Sequence, residues 1–486
     1  MTMAARLELI TSPDESTADE STLEESTANF DLRPLVEAPP IRTPDPGSPL
    51  MKLSVVLIVA IAFMAMFFFG RFVWPSGGAP SLLVARVLKD LCWVWAVNLL
   101  PALLGLVGLL AHPRRKPLTA ADLVPIPQLV SFRIVTRGHN IEALTRTVAA
   151  VQRTMQEVPL FPYLIEVVTD NAVPLAPADD LDVIVVPPDY QTATGAMFKA
   201  RALQYALEST LVPEDTWVFH LDEESRIEGS TVVGIRAAVK EEEASGELRI
   251  GQGLILYHSD LKAHPILTLA DSMRTGDDLG RFYLQQRFGR ALFGLHGSFI
   301  LVRQDVEREV GFDIGPDGSI TEDAYWALVE MGTGRRIRCV DGVVLEQSTH
   351  SVRDFMKQRR RWFIGLVHVV THVPVSWRHR LMLMLSVGVW LVSWLSIVAA
   401  VAIGITQVTA PTGAFVLGSF AFAAFIAEYL VGLHVNLVHR GKENRRRRAC
   451  LYLIQGLCVP MFSILEAAGI VYALVRPERG FHVVKK

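Results

Sequence analysis

Two acidic residues directly after an apolar segment are the first candidates for chemistry in this sequence. Asp222 and Glu224 follow residues 217–221, a segment that is typical of a buried strand. Carboxylate oxygens are the ligands that Mg²⁺ and Mn²⁺ prefer, and a metal held there can neutralise the charge of a nucleotide diphosphate. The alternative interpretation, a pair of solvated turn residues, is disfavoured by the apolar segment before them and by two further motifs in the chain.

The second motif is Thr321, Glu322 and Asp323, which precedes a helical pattern that Gly332 ends. Thr321 is predicted to be the N-cap of the helix Glu322–Met331. A carboxylate in the first turn is stabilised by the helix dipole, so Asp323 is predicted to stay ionised. Such a group suits a base that accepts a proton from a hydroxyl. Taken alone, an acid that only improves a helix start is the simpler interpretation.

The third motif is Gln358, Arg361 and Trp362, within the amphipathic helical pattern Phe355–Val370. Their spacing of i, i+3 and i+4 places them on one face of a helix. An amide, a guanidinium and an indole suit a diphosphate leaving group and a sugar ring. The alternative interpretation of the basic face of this helix is attraction to a membrane surface, and Arg359 and Arg360 would then be no more than surface charges.

The elements that must position these motifs alternate between strand and helix patterns. Four apolar segments are predicted to be buried strands: Leu129–Val135, Leu164–Val168, Val183–Val186 and Trp217–Leu221. Three amphipathic segments are predicted to be helices: Ile141–Val158, Ala196–Glu208 and Thr231–Glu243. This alternation predicts an α/β domain with a mostly parallel sheet. Ligands of such sheets bind beyond the carboxyl ends of the strands.

Polar and charged residues stand where such a ligand would bind. Thr136 and Arg137 follow the first predicted strand, and Asp170 follows the second. Lys199 and Arg201 begin the helix after the third strand, where positive side chains can reach phosphates. The alternative is a solvated turn residue for Asp170 and an exposed helix face for Lys199 and Arg201.

The composition predicts that part of the chain lies in a membrane. Half of the 486 residues are hydrophobic, and this fraction is too high for an ordinary soluble protein. The formal net charge is −3. Crossing a bilayer takes about 20 apolar residues. Five crossings are predicted: Leu53–Gly70, Leu91–Ala111, two from Leu381 onward with a break at Thr409–Gly413, and Ala449–Val475.

Four residues in or beside these segments lead to further predictions. Pro101 is predicted to kink the second segment, and Asn98 needs a hydrogen-bonding partner there. Glu428 and Glu466 are predicted to face protein rather than lipid. The four cysteines are scattered along the chain, which favours neither a zinc site nor disulfides.

Basic residues in short loops predict the orientation in the membrane. One basic cluster, 114–116, follows the second segment, and another, 440–448, follows the fourth. Both are predicted to be cytoplasmic, together with the α/β domain of an integral cell-membrane protein. Five crossings would put the basic C-terminus outside, against the same rule. The alternative is a break at Gly456 or Pro460 that returns the last segment.

The three motifs, in this order, resemble those of glycosyltransferase family 2. The pattern is Asp222-x-Glu224, Thr321-Glu322-Asp323 and Gln358-x-x-Arg361-Trp362. Six stretches are similar to the egghead-type β-1,4-mannosyltransferase branch: His220–Glu224, Gly251–Gly253, Leu269–Ser272, Gly297–Phe299, Phe312–Asp323 and Asp354–Trp362. The resemblance implies a GT-A glycosyltransferase fold, an α/β domain with a mostly parallel sheet inserted between transmembrane helices.

The predicted domain organisation has six parts. They are a disordered acidic tail (1–50), two transmembrane helices (51–112), a cytoplasmic GT-A catalytic domain (118–350), an amphipathic interface helix (351–378), about three transmembrane segments (379–475) and a C-terminal tail (476–486). The first part is predicted to be disordered because it is rich in Ser, Thr, Pro and acidic residues.

The residue patterns and the resemblance together assign roles to the site residues. Asp323 would be the general base, and Asp222 and Glu224 would bind Mg²⁺ or Mn²⁺. The donor-binding residues would be Thr136, Arg137, Asp170, Lys199, Arg201, Asp222, Gln358, Arg361 and Trp362. The acceptor-binding residues would be Thr321, Glu322 and Trp362. Glu224 stands where the broad family pattern usually has aspartate, and its longer side chain still offers an oxygen.

The resemblance implies an inverting hexosyltransferase that moves mannose from GDP-mannose, in β-1,4 linkage, to a lipid-linked or glycolipid acceptor. One alternative is a processive polysaccharide synthase that uses a UDP-sugar and needs a membrane channel. Another is a non-catalytic membrane scaffold that has kept the fold. Nucleic-acid binding is not expected, because the basic clusters lie beside membrane segments and the central domain is not basic.

Overall fold

The computed structural model describes residues 43–73, 81–257, 265–441 and 444–477. They divide into two compact units by their internal contacts. The first unit contains Lys116–Leu254 and Leu295–Glu346, and the second contains Thr43–Arg115, Ile255–Gly294 and Gln347–Lys486. The predicted acidic tail lies outside the described residues except for 43–50. The predicted C-terminal tail lies outside them except for 476–477.

The described strands form one eight-stranded sheet. In chain order they are β1 (Val130–Thr136), β2 (Tyr163–Thr169), β3 (Leu181–Val185), β4 (Trp217–Asp222), β5 (Arg226–Ile227), β6 (Ile250–Tyr257), β7 (Ile300–Arg303) and β8 (Ile337–Glu346). Their order across the sheet is β3-β2-β1-β4-β7-β6-β8-β5. The pairs β2–β3, β1–β2 and β1–β4 are parallel, whereas β7 runs antiparallel to both β4 and β6. The predicted α/β class is confirmed, and the predicted mostly parallel sheet is a mixed sheet that is parallel from β3 to β4 and antiparallel at β4–β7, β7–β6 and β5–β8.

The described α-helices alternate with these strands and then continue as long apolar segments. In chain order they are α1 (Pro49–Val73), α2 (Leu82–Leu91), α3 (Val94–Val97), α4 (Leu99–Ala111), α5 (Ile141–Glu157), α6 (Phe198–Ser209), α7 (Gly229–Ser245), α8 (Pro265–Asp277), α9 (Tyr283–Phe288), α10 (Gln304–Val310), α11 (Gly315–Gly318), α12 (Glu322–Gly332), α13 (Val352–His372), α14 (Trp377–Thr406), α15 (Thr412–Arg440) and α16 (Arg445–Val475). One turn of π-helix, Asp278–Phe282, joins α8 to α9.

Three of the four predicted strands, β1, β2 and β4, lie inside the sheet and are mostly apolar on both faces, whereas β3 is an edge strand. Every residue of β1 is buried, and β4 is buried up to Leu221. Parallel strands covered by helices on both faces require this kind of continuous apolar segment. The strands therefore end at the polar residues from which the site is built.

Five helical segments among the described residues are long and apolar enough to cross a membrane. They are Pro49–Phe68, Leu82–Ala111, Trp377–Thr406, Thr412–Arg440 and Arg445–Val475. Their number agrees with the sequence prediction. The break between the third and fourth falls at residues 407–411, two residues earlier than predicted, and Gln407 closes α14 with a φ of 55°. The last segment is one continuous helix through Pro460.

The second membrane segment is interrupted at Asn98, three residues before Pro101, which agrees with the predicted kink, and it is also interrupted around Cys92. Pro101 lies in the first turn of α4. A proline is tolerated there because the first-turn N–H groups have no intrahelical acceptor. Asn98 has the partner it needs, since its Nδ2 donates to Ser396 Oγ at 3.0 Å.

Residues 255–294, which fall within the predicted block 118–350, group with the membrane helices. Glycines allow helix α8 to approach α15 closely. A Cβ on Gly432 would lie 1.9 Å from the Ser272 carbonyl oxygen, and one on Gly276 would lie 2.3 Å from the Glu428 carbonyl oxygen. Small residues at helix contacts bring backbones together in membrane proteins. The side chain of Glu428 is buried against protein, as predicted.

Candidate functional site

The carboxyl ends of β1, β2 and β4 bring the predicted strand-end residues to one edge of the sheet. Thr136 pairs in register with Thr169, so Asp170 begins just beyond it, and Val135 pairs with Asp222. This is the edge at which ligands of parallel sheets bind. The structure therefore assembles the first acidic motif with the residues after β1 and β2.

Asp170 is held by two arginines. Arg201 Nη2 lies 2.7 Å from Asp170 Oδ1, and Arg137 Nε lies 3.9 Å from Asp170 Oδ2. Arg201 also donates to the carbonyl oxygen of Tyr190 at 3.0 Å. The alternative of an exposed helix face is therefore wrong for Arg201, whose guanidinium orients the carboxylate that follows β2.

The turn after β4 holds the first acidic motif. Ser225 N donates to the Asp222 carbonyl at 3.0 Å, and Ser225 Oγ accepts from Asp222 N at 3.2 Å. Thr136 Oγ1 donates to a carboxylate oxygen of Glu223, between the two predicted metal ligands. Asp222 and Glu224 are both half-buried in this turn. The turn thus presents two hard oxygen donors, two residues apart, which fits a divalent cation.

Lys199 connects the two acidic motifs. Its Nζ donates to Asp222 Oδ1 at 2.6 Å and to the Gly297 carbonyl at 2.9 Å, and it lies 3.6 Å from Glu322 Oε1. Burial lowers the pKa of Lys199, but the two carboxylates outweigh burial and raise the pKa, so the ammonium stays charged. An exposed helix face is therefore wrong for Lys199 as well.

Backbone strain accompanies this placement of Lys199. The preceding residue, Phe198, has a φ of 56°, which costs a residue other than glycine of order 1–3 kcal/mol when the surrounding structure enforces it. Such strain clusters at functional sites. The strained turn starts α6 so that Lys199 faces the acids.

Asp323 lies in the first turn of α12, as predicted, and its Oδ1 accepts a hydrogen bond from Ala324 N at 2.8 Å. Thr321 is the N-cap residue by position, but its hydroxyl makes no capping hydrogen bond. A Cβ on Gly297 would lie 3.2 Å from Lys199 Nζ and 3.3 Å from Asp323 Oδ2. The glycine therefore keeps space beside the predicted base.

The prediction that the helix dipole keeps Asp323 ionised leaves out the effect of burial, which favours the protonated form. Burial raises the pKa of Asp323, and the charge of Lys199 acts in the opposite direction. Burial and then the charge of Asp323 raise the pKa of Glu322 to about 7. The motif is thus a carboxylate pair with raised pKa values, which is what a base needs to hold a proton near neutral pH.

The third motif belongs to the second unit, on α13. Gln358 is buried, and its Oε1 accepts from Arg359 Nη1 at 2.8 Å, whereas Arg361 and Trp362 are half-buried. Interpreting Arg359 as a membrane-surface charge is wrong, because only 2 % of it is exposed. Its guanidinium pairs with Glu466, which confirms that Glu466 faces protein.

Two site features escaped sequence reasoning. One is Glu223, which binds the Thr136 hydroxyl; acidic neighbours in one turn look alike in a sequence. The other is the Gly297 carbonyl that accepts from Lys199. The sequence does carry a signal for this part of the site, namely the stretch Gly297–Phe299. The buried Phe299 ring packs so closely against Gly253 that a Cβ on Gly253 would lie 2.1 Å from it. The two glycine stretches are therefore coupled by packing.

The site of the first unit can bind a divalent cation with oxygen ligands, and a diphosphate, at the sheet edge. The buried carboxylate pair Glu322 and Asp323, which can take a proton, lies next to it. A family model described as "Glycosyl transferase family group 2" matches residues 217–433. That range begins at β4 and contains all three motifs.

Several known proteins are similar to this chain. The β-1,4-mannosyltransferase egh of Drosophila melanogaster is 32% identical over 417 residues, which cover 85% of this chain and 90% of that protein. The β-1,4-mannosyltransferase bre-3 of Caenorhabditis elegans is 31% identical over 450 residues, 89% of this chain and 97% of that protein. A solved structure, the mannosyltransferase PcManGT from Pyrobaculum calidifontis in complex with GDP-Man and Mn²⁺, covers 81% of this chain and 98% of its own, with 15% identity and a TM-score of 0.46.

Proposed function

Because this chain belongs to the β-1,4-mannosyltransferase family, within glycosyl transferase family group 2, we propose that it transfers mannose from GDP-mannose to a lipid-linked or glycolipid acceptor, in β-1,4 linkage and with inversion. It is a glycosyltransferase with a GT-A fold and membrane helices. The similarity to mannosyltransferases over 85% of the chain carries the proposal of mannose. The acids at the sheet edge support it chemically.

The base is Asp323. It removes the proton from an acceptor hydroxyl, whose oxygen attacks the anomeric carbon as the bond to the donor diphosphate breaks. One displacement from the opposite face inverts that carbon. Lys199 and Glu322 contribute by setting the charge around the base, since Lys199 Nζ lies 3.6 Å from Glu322 Oε1.

Asp222 and Glu224 would hold Mg²⁺ or Mn²⁺. The half-buried turn that presents them offers hard oxygen donors, the ligand type that both ions accept. A bound cation would neutralise charge that develops on the leaving diphosphate. Thr136, Arg137, Asp170 and Arg201 complete the donor side of the site.

The resemblance assigns the remaining contacts. Gln358 and Arg361 hold the diphosphate, and Trp362 offers its ring to the acceptor sugar, with Thr321 and Glu322 beside the reacting hydroxyl. The five apolar helices support a lipid-borne acceptor, because they hold the enzyme at a bilayer. The basic clusters at 114–116 and 440–448 support a cytoplasmic catalytic unit in the cell membrane.

The proposal is tested by nucleotide release. Purified full-length protein in detergent with Mn²⁺ receives GDP-mannose or UDP-glucose, with and without membrane lipid extract. Release of GDP that the lipid extract stimulates, with one sugar added per lipid, is the expected result. UDP release with a growing polymer would replace the proposal with a polysaccharide synthase. Release of neither nucleotide, with correctly folded protein, would favour the non-catalytic scaffold.

Transfer is expected to slow as pH falls below neutrality. Burial raises the pKa of Asp323, and burial together with the charge of Asp323 raises the pKa of Glu322 to about 7, so the carboxylate pair takes up a proton as the pH falls below neutrality. The measurement is kcat/KM against pH, which reports the free enzyme. Glu322→Gln removes the neighbouring negative charge and should move the acid limb to lower pH. A profile that is flat from about pH 5.5 to 8 would contradict this assignment.

Glu224→Ala is expected to weaken Mn²⁺-dependent binding of GDP-mannose by at least about tenfold. Replacing even a residue that only hydrogen-bonds to a metal ligand lowers metal affinity by that factor. Titration calorimetry with and without Mn²⁺ measures it. Glu214→Ala is the control, since Glu214 is an exposed carboxylate that pairs with Arg308 at 3.1 Å. Equal affinities for the Glu224→Ala variant and the wild type would remove Glu224 from the metal site.

A further inference from the structure

Five side chains of the second unit alternate between aromatic rings and guanidinium groups. We name them the aromatic–guanidinium ladder: Tyr257, Arg274, Trp362, Arg359 and Phe355. The Arg274 guanidinium lies 4.2 Å from the Tyr257 ring centre and 4.6 Å from that of Trp362. The Arg359 guanidinium lies 4.5 Å from the Trp362 ring centre and 3.9 Å from that of Phe355. Each distance is within the range of a cation–π contact.

The ladder is anchored by buried ion pairs at Arg359. Arg359 Nε lies 2.7 Å from Glu466 Oε1, on α16, and Arg359 Nη2 lies 2.9 Å from Asp271 Oδ1, on α8. Arg359 Nη1 donates to Gln358 Oε1 at 2.8 Å. All three nitrogens of one guanidinium are thus engaged, and its plane is fixed relative to three helices of this unit.

Close helix packing holds the same arginine. A Cβ on Gly469 of α16 would lie 2.7 Å from the Arg359 Cβ, so α13 and α16 are in close contact at the base of the Arg359 side chain. Phe355, Arg359 and Trp362 stand at i, i+4 and i+7, which is one face of α13. Arg359 occupies one of the two unspecified positions between Gln358 and Arg361 in the third motif.

The contacts restrict the plane of the indole. A planar guanidinium attracts an aromatic ring best when it lies over the ring face, which a flexible ammonium cannot reproduce by stacking. Trp362 has such a guanidinium contact from its own helix and another from α8. Rotating the indole would break both contacts at once.

We propose that Arg359 and Arg274 are positioning residues that lock the Trp362 indole in the orientation in which its accessible edge meets the sugar of the acceptor. The kinetic part of this inference rests on the proposed function. The conformational part does not, because the ladder exists in the protein without substrate. The inference assigns Arg274, which lies in none of the three motifs, to the acceptor side of the site.

The conformational test uses ¹⁹F NMR of full-length protein labelled with 5-fluorotryptophan, in which a Trp362→Phe variant identifies the Trp362 signal. Arg359→Met and Arg274→Met should shift and broaden that signal. Arg360→Met is the matched control, because Arg360 is the next residue and its guanidinium lies over Tyr472 at 5.0 Å, outside the ladder. An unmoved Trp362 signal in both ladder variants would overturn the proposal.

The kinetic test separates acceptor from donor. Arg274→Met should raise the KM for the lipid acceptor by about tenfold to a hundredfold, as misplaced binding groups do, while leaving the KM for GDP-mannose and donor hydrolysis unchanged. Arg274→Lys should not restore the acceptor KM, because it returns charge without a stacking plane.

Other outcomes are distinguishable. An unchanged acceptor KM in an active enzyme would overturn the positioning role, and so would equal losses for donor and acceptor with a lower melting temperature. Failure of the wild type to transfer mannose would overturn the proposed function instead, and the ¹⁹F signal would then decide the ladder alone.

Discussion

Asp323→Asn is expected to lower kcat for mannose transfer by about 10²- to 10⁴-fold, the usual contribution of a general base. Asparagine keeps the shape of the side chain and can still accept the hydrogen bond that Ala324 N donates at 2.8 Å. It cannot take a proton from the acceptor hydroxyl. Donor affinity should stay within a few-fold of the wild type, because the residues assigned to the donor are untouched. Single-turnover transfer and calorimetry of GDP-mannose binding measure the two quantities.

Glu330→Gln is the matched control for this variant. Glu330 is a buried carboxylate on the same helix, α12, seven residues beyond Asp323. Burial raises its pKa to about 8, so glutamine resembles its largely neutral form at neutral pH. The control should keep wild-type transfer. Near-normal transfer by Asp323→Asn would remove Asp323 from the role of base.

Arg133→Met is expected to destabilise the protein by about 3–5 kcal/mol, the cost of leaving buried charges without their partner. Arg133 is fully buried in β1. Its Nη1 lies 2.8 Å from Glu307 Oε2 and its Nη2 lies 2.9 Å from Glu166 Oε2. Burial raises the pKa of Glu307, but His220 and Arg133 outweigh it and hold that pKa below its usual value. Arg133 thus pairs with two buried carboxylates inside the first unit, and one of them, Glu307, is also in contact with His220.

The measurement is the melting temperature of the full-length protein in detergent, which should fall by on the order of 10 °C. Arg146→Met is the control, because Arg146 pairs with Glu142 at 3.7 Å on an exposed helix face, where such a pair contributes less than about 1 kcal/mol. Adding Glu307→Gln to Arg133→Met should recover part of the loss. A melting temperature equal to wild type would show that the buried cluster is not coupled to folding.

The parallel half of the sheet was predictable and the rest was not. β1 to β4 are mostly apolar segments that end in polar residues, which is the pattern of a strand in a parallel sheet covered by helices. β5 has only two residues, and β6 begins with two glycines that weaken a strand pattern, at Gly251 and Gly253. The sheet pairs them through contacts between distant parts of the chain, and those contacts leave no local pattern.

The positions of the site acids were predictable because strand ends meet at one edge of a parallel sheet. Their partners were not. The strained backbone at Phe198 directs Lys199 toward Asp222. The Lys199 ammonium also donates to the carbonyl of Gly297, which is 98 residues away in the chain. An amphipathic pattern marks basic residues as surface charges, so it cannot show that Arg359 pairs with an acid 107 residues along the chain.

The most direct test of the account is to follow radiolabelled mannose from GDP-mannose into lipid, with full-length protein, Mn²⁺ and membrane lipid extract, beside the Asp323→Asn variant. The account predicts a labelled lipid that carries one added mannose, releases its label to β-mannosidase, and is absent with the variant. A labelled lipid that resists β-mannosidase but yields to α-mannosidase would contradict inversion. Equal labelling by wild type and variant would contradict the role of Asp323 on which the mechanism depends.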